Sequence, residues 1–287
     1  MTKNTKKPAQ SLKIPKAIIV TGKLLSFISL NLATRFAARL FTTPIRHRIP
    51  RREVEMDTGS RQTLLQIPQI DKNIVVYEFG ESERKILLVH GWSGRGTQLV
   101  RIAEALLKEG YATVSFDAPA HGKSSGKTTL MPEFNVCIEE INKLYGPFET
   151  AVGHSLGGMS LLNAVRKGFP LSRLVIIGSG DVIKDIMDHF IMALQLDGRI
   201  SEMMRIYFEK KFGETMESYS SYLAAQTIDI PVLVIHDNDD ADVDVKCGIH
   251  IHKHLKKGEL KITRGLGHRK ILGDREVIEN IVEFIKR

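Results

Sequence analysis

The feature that most constrains the fold is a glycine-flanked serine between an apolar run and a helical pattern. Gly153-His-Ser155-Leu-Gly157 follows the apolar residues 150–152 and precedes the helix-forming residues 159–167. A serine at a sharp strand-to-helix turn is held in a strained conformation that exposes its hydroxyl. The helix that follows directs its free N–H groups toward this point. A glycine-rich turn with an incidental serine is the alternative, but both flanking patterns favour Ser155 as a nucleophile.

The rest of the chain repeats this alternation of buried strand and helix. Continuous apolar runs predict strands at 85–90, 112–117, 150–153, 173–178, 231–236 and 259–263. Helical patterns are found at 97–109, 130–145, 155–167, 243–256 and 273–286. Segments 61–66 and 73–79 alternate polar and apolar residues, which indicates an antiparallel start. The predicted fold class is therefore α/β, with a mostly parallel, doubly wound sheet that carries helices on both faces.

Residues 180–228 interrupt this alternation. They are helical in character and rich in methionine and aromatic side chains, among them Met187 and Phe190. Methionine-rich amphipathic sequence suits an adaptable surface. Two interpretations are open, a helical excursion with its own small core or a lid over the site. The position directly after a predicted strand favours the lid.

Charge is divided unevenly along the chain. The net charge is +8, but residues 1–52 contain twelve Lys or Arg and no acidic residue, which leaves 29 basic and 33 acidic residues in the remainder. Nucleic-acid-binding proteins usually spread basic residues over a reading surface, so we predict no nucleic-acid partner. The predicted organisation is a basic tail and amphipathic helix in 1–52 followed by one domain in 53–287. The basic arm can lie on anionic lipid, on the domain or on a partner.

Within this arm, residues 24–41 predict one amphipathic helix after a disordered tail at 1–16. Its apolar stripe consists of Leu25, Ile28, Leu32, Phe36 and Leu40. Packing against the domain is the favoured interpretation, and a peripheral membrane helix or a secretory signal are the alternatives. Because no apolar stretch is long enough to span a bilayer, any membrane contact through residues 1–45 is expected to be peripheral.

An acidic cluster and a histidine later in the chain can act together with Ser155. A serine hydroxyl is a weak nucleophile that needs a base, and the base needs an orienting group. An acidic cluster, residues 237–244, follows the predicted strand 231–236, and His268 follows the strand 259–263 in a glycine-rich loop. An acid and then a histidine, each after a later strand, is the order expected on this fold. The residues alone leave open which acid of the cluster is used.

Taken together, these motifs resemble the α/β-hydrolase family over about residues 53–287. The motifs are His90-Gly91-Trp92, Asp117-Ala-Pro-Ala-His121-Gly122, Gly153-His-Ser155-Leu-Gly157-Gly158, the strand ending in His236 with Asp240 and Val243, and Gly267-His268. The resemblance implies the α/β-hydrolase fold with a small helical lid. It also implies Ser155 as nucleophile, His268 as general base and Asp240 as acid, with Asp239 and Asp242 as rival acids.

The resemblance further assigns the oxyanion hole to the backbone N–H groups of Trp92 and Leu156. Such donors must be in place before charge develops on the substrate oxygen. We expect Trp92, His154, Met187 and Phe190 to line the substrate pocket. A purely structural Trp92, packed under the lid, is the alternative for that side chain.

The cysteines, the other histidines and the acids around Asp240 predict no cofactor and no metal. Cys137 and Cys247 lie far apart and form no CxxC, which favours a reducing, cytoplasmic location without a disulfide framework. His250, His252 and His254 look like a metal cluster, but only the first and last share a helix face, and we expect no carboxylate beside them. The acids around Asp240 form a solvated loop or a weak cation site, and their spacing does not require a metal.

These observations predict a serine hydrolase that cleaves a carboxylic ester or a thioester through an acyl-enzyme. A peptidase, a lipase, a C–C hydrolase or a cofactor-free peroxidase on the same residues is the alternative within the fold. A non-catalytic ligand-binding homologue is the alternative from a different class. Acyl length, leaving group and oligomeric state are not defined by the sequence.

Overall fold

An eight-stranded sheet forms the centre of the computed structural model, which describes residues 14–287. The strands are β1 (Arg61–Ile67), β2 (Lys72–Phe79), β3 (Lys85–Val89), β4 (Ala112–Asp117), β5 (Thr150–His154), β6 (Arg173–Ile177), β7 (Val232–Asp237) and β8 (Gly258–Thr263). Their order across the sheet is β1-β2-β4-β3-β5-β6-β7-β8. β2 pairs antiparallel with both β1 and β4, and the other neighbours are parallel. The predicted mostly parallel sheet with an antiparallel start is confirmed.

Helices lie between the strands, as the alternation predicts. In residues 14–287 they are α1 (Lys16–Ile28), α2 (Leu30–Phe41), α3 (Val54–Gly59), α4 (Val100–Lys108), α5 (Met131–Tyr145), α6 (Leu156–Arg166), α7 (Ile183–Ala193), α8 (Arg199–Phe212), α9 (Ser221–Ala225), α10 (Val245–His254), α11 (Gly267–Lys270) and α12 (Arg275–Lys286). The single turn α11, which carries His268, was not predicted. None of these helices has both the length and the apolar character needed to cross a bilayer.

Apolar layers cover both faces of the sheet because its central strands alternate their side chains between two cores. Along β3, Leu87 and Val89 enter one core, whereas Ile86 and Leu88 enter the other. The first core also contains buried side chains of α5 and α6, and the second contains those of α4 and α12. This double burial fixes the strands, so the loops at their carboxyl ends extend from a rigid frame.

Residues 180–228 form the expected helical region, α7 to α9 with a 3-10 turn at Met216–Tyr219. A third apolar cluster joins this region to α2, with the small side chains Ala33 and Ala37 packed against Met187, Met204 and Phe208 among others. The cluster also contains Met131 of α5 and Met159 of α6, so the region shares its core with other helices and does not have the separate small core that one interpretation predicts. The lid interpretation stays a prediction.

The single helix predicted for residues 24–41 is wrong. Ser29 adopts an extended conformation with φ −164° and ψ 129°, which separates α1 from α2. The break lets α1 pack on α2 at Gly22, where an added Cβ would lie 3.5 Å from Phe36. A hydrophobic pattern with a 3.6-residue period does not reveal a single extended residue. The predicted stripe therefore combined residues from two helices.

The side chains that residues 24–41 bury also differ from the predicted stripe. α2 buries Ala33, Ala37 and Ala38, whereas Ile28 and Leu32 of the predicted stripe are exposed. Packing against the domain is therefore confirmed for α2. The predicted disordered tail is wrong at its end, since α1 begins at Lys16, and its residues 1–13 lie outside the described residues.

Candidate active site

Ser155 occupies a strained turn between β5 and α6. Its backbone has φ 54° and ψ −119°, a left-handed conformation that costs free energy for any residue with a Cβ. The chain reverses tightly on both sides. A Cβ at Gly153 would lie 2.6 Å from the nitrogen of Gly158, and one at Gly157 would collide with the carbonyl oxygen of Val89. The two glycines are therefore steric requirements of the turn that presents Ser155.

His268 and Asp240 meet at the ends of neighbouring strands. Asp240 follows β7 and His268 follows β8, and His268 Nδ1 lies 2.7 Å from Asp240 Oδ2. The other carboxylate oxygen, Oδ1, accepts the N–H groups of Asp242 at 2.8 Å and Val243 at 2.9 Å. Burial opposes ionisation of Asp240, but these hydrogen bonds outweigh it and lower the pKa of the carboxyl. Asp240 is therefore an anion that accepts a hydrogen bond from Nδ1–H of the imidazole.

The two rival acids have different surroundings. Asp239 Oδ2 accepts the backbone N–H of Gly265 at 2.9 Å, which ties the acidic loop to the loop that carries His268. Asp242 lies near the pair, with a carboxylate oxygen within 4.8 Å of ligand atoms of Asp240 and His268. Asp240 makes the 2.7 Å hydrogen bond to the imidazole described above.

His154 links the serine turn to His268. The rings of His154 and His268 lie 4.6 Å apart, and His154 Nε2 donates to the carbonyl oxygen of His268 at 2.9 Å. Burial lowers the pKa of His154 well below its usual value, and the neighbouring His268 adds to the effect. A neutral His154, the residue before Ser155, therefore holds the backbone of His268 without adding a positive charge. Both Ser155 and His268 line one cavity.

The loop after β3 lies directly against the serine. A Cβ at Gly91 would lie 2.9 Å from Ser155 Cβ and 3.0 Å from His154 Nδ1. In the part of the chain that the structure describes, the backbone N–H groups of Trp92 and Leu156 donate no hydrogen bond. Both residues line the cavity that contains Ser155. Two unused donors next to the hydroxyl can bind an oxyanion.

Hydrogen bonds and an ion pair that could not be predicted from the sequence hold this loop in place. Ser93 N–H donates to His121 Nε2 at 3.0 Å, and Ser93 Oγ accepts Ile45 N–H at 3.0 Å. Arg95 forms a buried ion pair with Glu53 at 2.9 Å. Burial lowers the pKa of His121 well below its usual value, which keeps its ring nitrogen available as an acceptor. Glu53 and Ile45 belong to no motif, so only their positions in the fold reveal these contacts.

A large cavity of about 2030 Å³ opens at Ser155. Trp92, His154, Met187 and Phe190, predicted for the pocket, all line it. The N-terminal helices also contribute, since Ile18 and Phe41 lie on the cavity and the Phe41 ring contacts that of Phe190 at 5.1 Å. The sequence had no signal for this contribution, because helix periodicity does not say which surface a helix covers.

Potential metal ligands cluster at the acid–histidine pair. Among residues 14–287, Asp240, Asp242 and His268 form the group whose ligand atoms lie within 4.8 Å of one another. The hydrogen bond between Asp240 and His268 already uses one ligand atom of each. These contacts favour an acid–base pair over a metal centre.

The expectation that no carboxylate lies beside the histidines of α10 is wrong. Asp181, which follows β6, places Oδ2 2.5 Å from Nδ1 of His250. The His254 ring contacts the His250 ring at 4.5 Å. Asp181 is far from these residues in sequence, and the parallel arrangement of β6 and β7 brings the two segments together.

The site is thus an elbow serine, an acid–histidine pair after two later strands, and free N–H groups beside the serine. This arrangement on a mostly parallel sheet defines the class of α/β hydrolases. The sequence profile described as "Alpha/beta hydrolase family" matches residues 86–269. The chain belongs to the alpha/beta hydrolase family.

Solved structures with this fold carry different activities. An esterase from Pyrococcus furiosus has a TM-score of 0.66 at 18% identity, with 86% of this chain and 97% of that chain covered. An esterase from Exiguobacterium antarcticum has a TM-score of 0.63 at 18% identity, with 79% and 100% covered. A bromoperoxidase from Bacillus anthracis has a TM-score of 0.61 at 16% identity, with 79% and 100% covered. At these identities the likeness shows the fold alone. No curated protein matches the chain.

Proposed function

We propose that the protein is a serine hydrolase that cleaves a carboxylic ester or a thioester through an acyl-enzyme. The observation that carries this proposal is the hydrogen bond between His268 and Asp240, on a histidine that shares one cavity with Ser155. Because the anionic Asp240 holds the imidazole proton on Nδ1, Nε2 keeps the lone pair that can accept a proton. That is the tautomer a general base requires.

In the proposed first half-reaction, His268 Nε2 takes the proton of Ser155 Oγ as the oxygen attacks the substrate carbonyl carbon. The carbonyl π bond opens, and the N–H groups of Trp92 and Leu156 bind the resulting oxyanion. Asp240 stabilises the imidazolium that forms. The bond from carbon to the leaving oxygen or sulfur then breaks, and His268 returns the proton to that atom.

In the second half-reaction, water replaces serine as the nucleophile. His268 takes a proton from the water, and the resulting hydroxyl oxygen attacks the acyl carbon. The ester bond to Ser155 Oγ then breaks, and His268 returns the proton to Oγ as the carboxylic acid leaves. The same oxyanion donors act in both halves. Because burial lowers the pKa of His154 and keeps its ring neutral, the imidazolium that forms on His268 has no positive ring beside it.

The cavity favours an apolar acyl group. Its lining includes Met187, Phe190, Ile18 and Phe41, and its volume of about 2030 Å³ exceeds that of an ordinary small-molecule pocket. An extended acyl chain offers the apolar surface that such a lining can bury. This supports an ester with a medium or long acyl chain over a short-chain ester or a peptide.

A series of nitrophenyl esters of increasing acyl length tests this proposal. We expect a burst of nitrophenol equal to the enzyme concentration, and a kcat/KM that rises with chain length from acetate to octanoate. Ser155→Ala is expected to abolish the burst and to remove enzymatic turnover. Absence of a burst and of turnover with every ester would favour the non-catalytic, ligand-binding alternative. Turnover confined to a peptide substrate would favour the peptidase.

A further inference from the structure

One face of α1 is apolar and open to solvent. Val20, Leu24, Phe27 and Ile28 are exposed by 55%, 61%, 92% and 70%, respectively. Their spacing at i, i+4, i+7 and i+8 aligns them on one side of the helix. A free apolar stripe of this kind costs solubility, and such patches usually mark a binding surface. We call these four residues the α1 face.

Basic side chains border the α1 face and the neighbouring helix. Lys16 and Lys23 precede Val20 and Phe27 by four residues, and Arg35 and Arg39 are exposed on α2. Within the described structure, none of these four cations forms a salt bridge. The whole segment 1–52 contains no Asp or Glu that could neutralise them. The apolar α1 face is therefore bordered by cations of its own segment.

The opposite side of α1 is part of the active-site cavity. Ile18 of α1 and Ile14, which precedes the helix, line the cavity that contains Ser155, whereas the exposed side chains of Val20 and Leu24 do not. A helix is about 10 Å in diameter with its side chains. Whatever covers the α1 face therefore lies about one helix thickness from the cavity wall.

We propose that the α1 face docks the protein onto an anionic phospholipid bilayer. Apolar side chains enter the boundary between headgroups and acyl chains, and the flanking lysines bind anionic headgroups. α1 spans 13 residues, which suits a helix lying in the plane of the interface. This combination of charge and apolar exposure distinguishes a lipid surface from a second copy of the chain, which would bring the same positive charges together.

Binding of the full-length Ser155→Ala protein to vesicles tests the proposal independently of catalysis. The probes are vesicles of phosphatidylcholine alone and of phosphatidylcholine with phosphatidylglycerol, measured by co-sedimentation. We expect binding to the anionic vesicles, weakened when NaCl rises from about 0.05 M to about 0.5 M. Leu24→Gln with Phe27→Gln is expected to weaken binding about tenfold or more, because less apolar surface leaves water. Lys16→Gln with Lys23→Gln is expected to weaken it about thirtyfold.

Matched controls keep the test specific. Leu64→Gln with Leu144→Gln removes two leucines of similar exposure, 66% and 59%, on β1 and α5, and is expected to bind like the parent protein. Circular dichroism should show the same folded spectrum for every variant, since the changed side chains are on the surface. Equal loss of binding in the control pair would overturn the assignment to the α1 face.

Two further outcomes would also overturn the proposal. One is no binding of the parent protein to anionic vesicles at low salt. The other is a dimer in sedimentation velocity that Leu24→Gln with Phe27→Gln converts to monomer, with no vesicle binding by either protein. That result would identify the α1 face as a surface between two copies of the chain.

Discussion

His268 Nδ1 lies 2.7 Å from Asp240 Oδ2, and Asp240 is one of several acids in its loop. We expect Asp240→Asn to lower kcat/KM for a nitrophenyl ester about a thousandfold or more, because the amide stabilises the wrong imidazole tautomer. Asp242→Asn is the matched control and should change kcat/KM less than about tenfold. A larger loss from Asp242→Asn than from Asp240→Asn would reassign the acid.

Close packing of the β3 loop on the serine predicts a steric effect at Gly91. A methyl group there would lie 2.9 Å from Ser155 Cβ, so Gly91→Ala must displace the loop or the nucleophile. We expect kcat/KM to fall about a hundredfold through loss of oxyanion geometry, with a small change in melting temperature. Gly198→Ala is the control, because Gly198 has a φ of −57° and no atom within 4 Å of an added Cβ. Full activity in Gly91→Ala would contradict the proposed position of the oxyanion hole.

The buried ion pair between Glu53 and Arg95 predicts a stability effect. Glu53 also accepts the hydroxyl of Thr97 at 2.9 Å, and Glu53→Gln would leave the charge of Arg95 buried without its partner. We expect a loss of about 3 kcal/mol in the free energy of unfolding, measured in urea. Glu259→Gln breaks an exposed pair with Arg287 and should cost less than about 1 kcal/mol. Equal losses of unfolding free energy in the two variants would contradict the claim that burial makes the Glu53–Arg95 pair more important than the exposed pair.

Asp237 predicts a pH dependence of stability. Its buried carboxylate accepts hydrogen bonds from Thr263 Oγ1 at 2.7 Å and from Gly267 N–H at 2.9 Å, which joins β7 to the loop of His268. Burial opposes ionisation, but the hydrogen bonds prevail and lower the pKa of Asp237 from its ordinary value of 3.8. The unfolded chain therefore binds the proton more readily, and the stabilisation is complete above pH 3.8 and lost as the pH falls through the lower folded pKa.

The matching variant is Asp237→Asn, whose amide cannot accept both hydrogen bonds. We expect it to be less stable than the wild type by about 2 kcal/mol at neutral pH, with the difference shrinking below pH 4. Urea unfolding at several pH values measures both quantities. A stability difference that stays constant down to pH 2 would show that Asp237 does not act through its charge.

Local signals explain why most of the sheet and the serine turn could be predicted. An apolar run followed by Gly153 and Gly157 defines a strand and a tight turn without reference to distant residues. The strand order predicted an acidic cluster and His268 after later strands, and the resemblance to the family selected Asp240 from that cluster. The structure brings Asp240 and His268 together. Each of these features lies within a few residues of a strand end, where the sequence pattern is strongest.

Features that depend on distant contacts could not be predicted. The single extended residue Ser29, which separates α1 from α2, cannot be read from the sequence period. Asp181 and His250 meet only because β6 and β7 are parallel neighbours. Similarly, the exposure of Phe27 shows which side of α1 is left uncovered within residues 14–287.

The most direct test of the central claim is covalent labelling of the native protein with a fluorophosphonate, followed by intact mass and peptide mapping. The strained Ser155 beside an acid–histidine pair predicts one adduct per chain, on Ser155. Ser155→Ala and heat-denatured protein should gain no mass, and Asp240→Asn should label much more slowly. No adduct on the native protein, or equal labelling of Ser155→Ala, would contradict the assignment of Ser155 as the nucleophile.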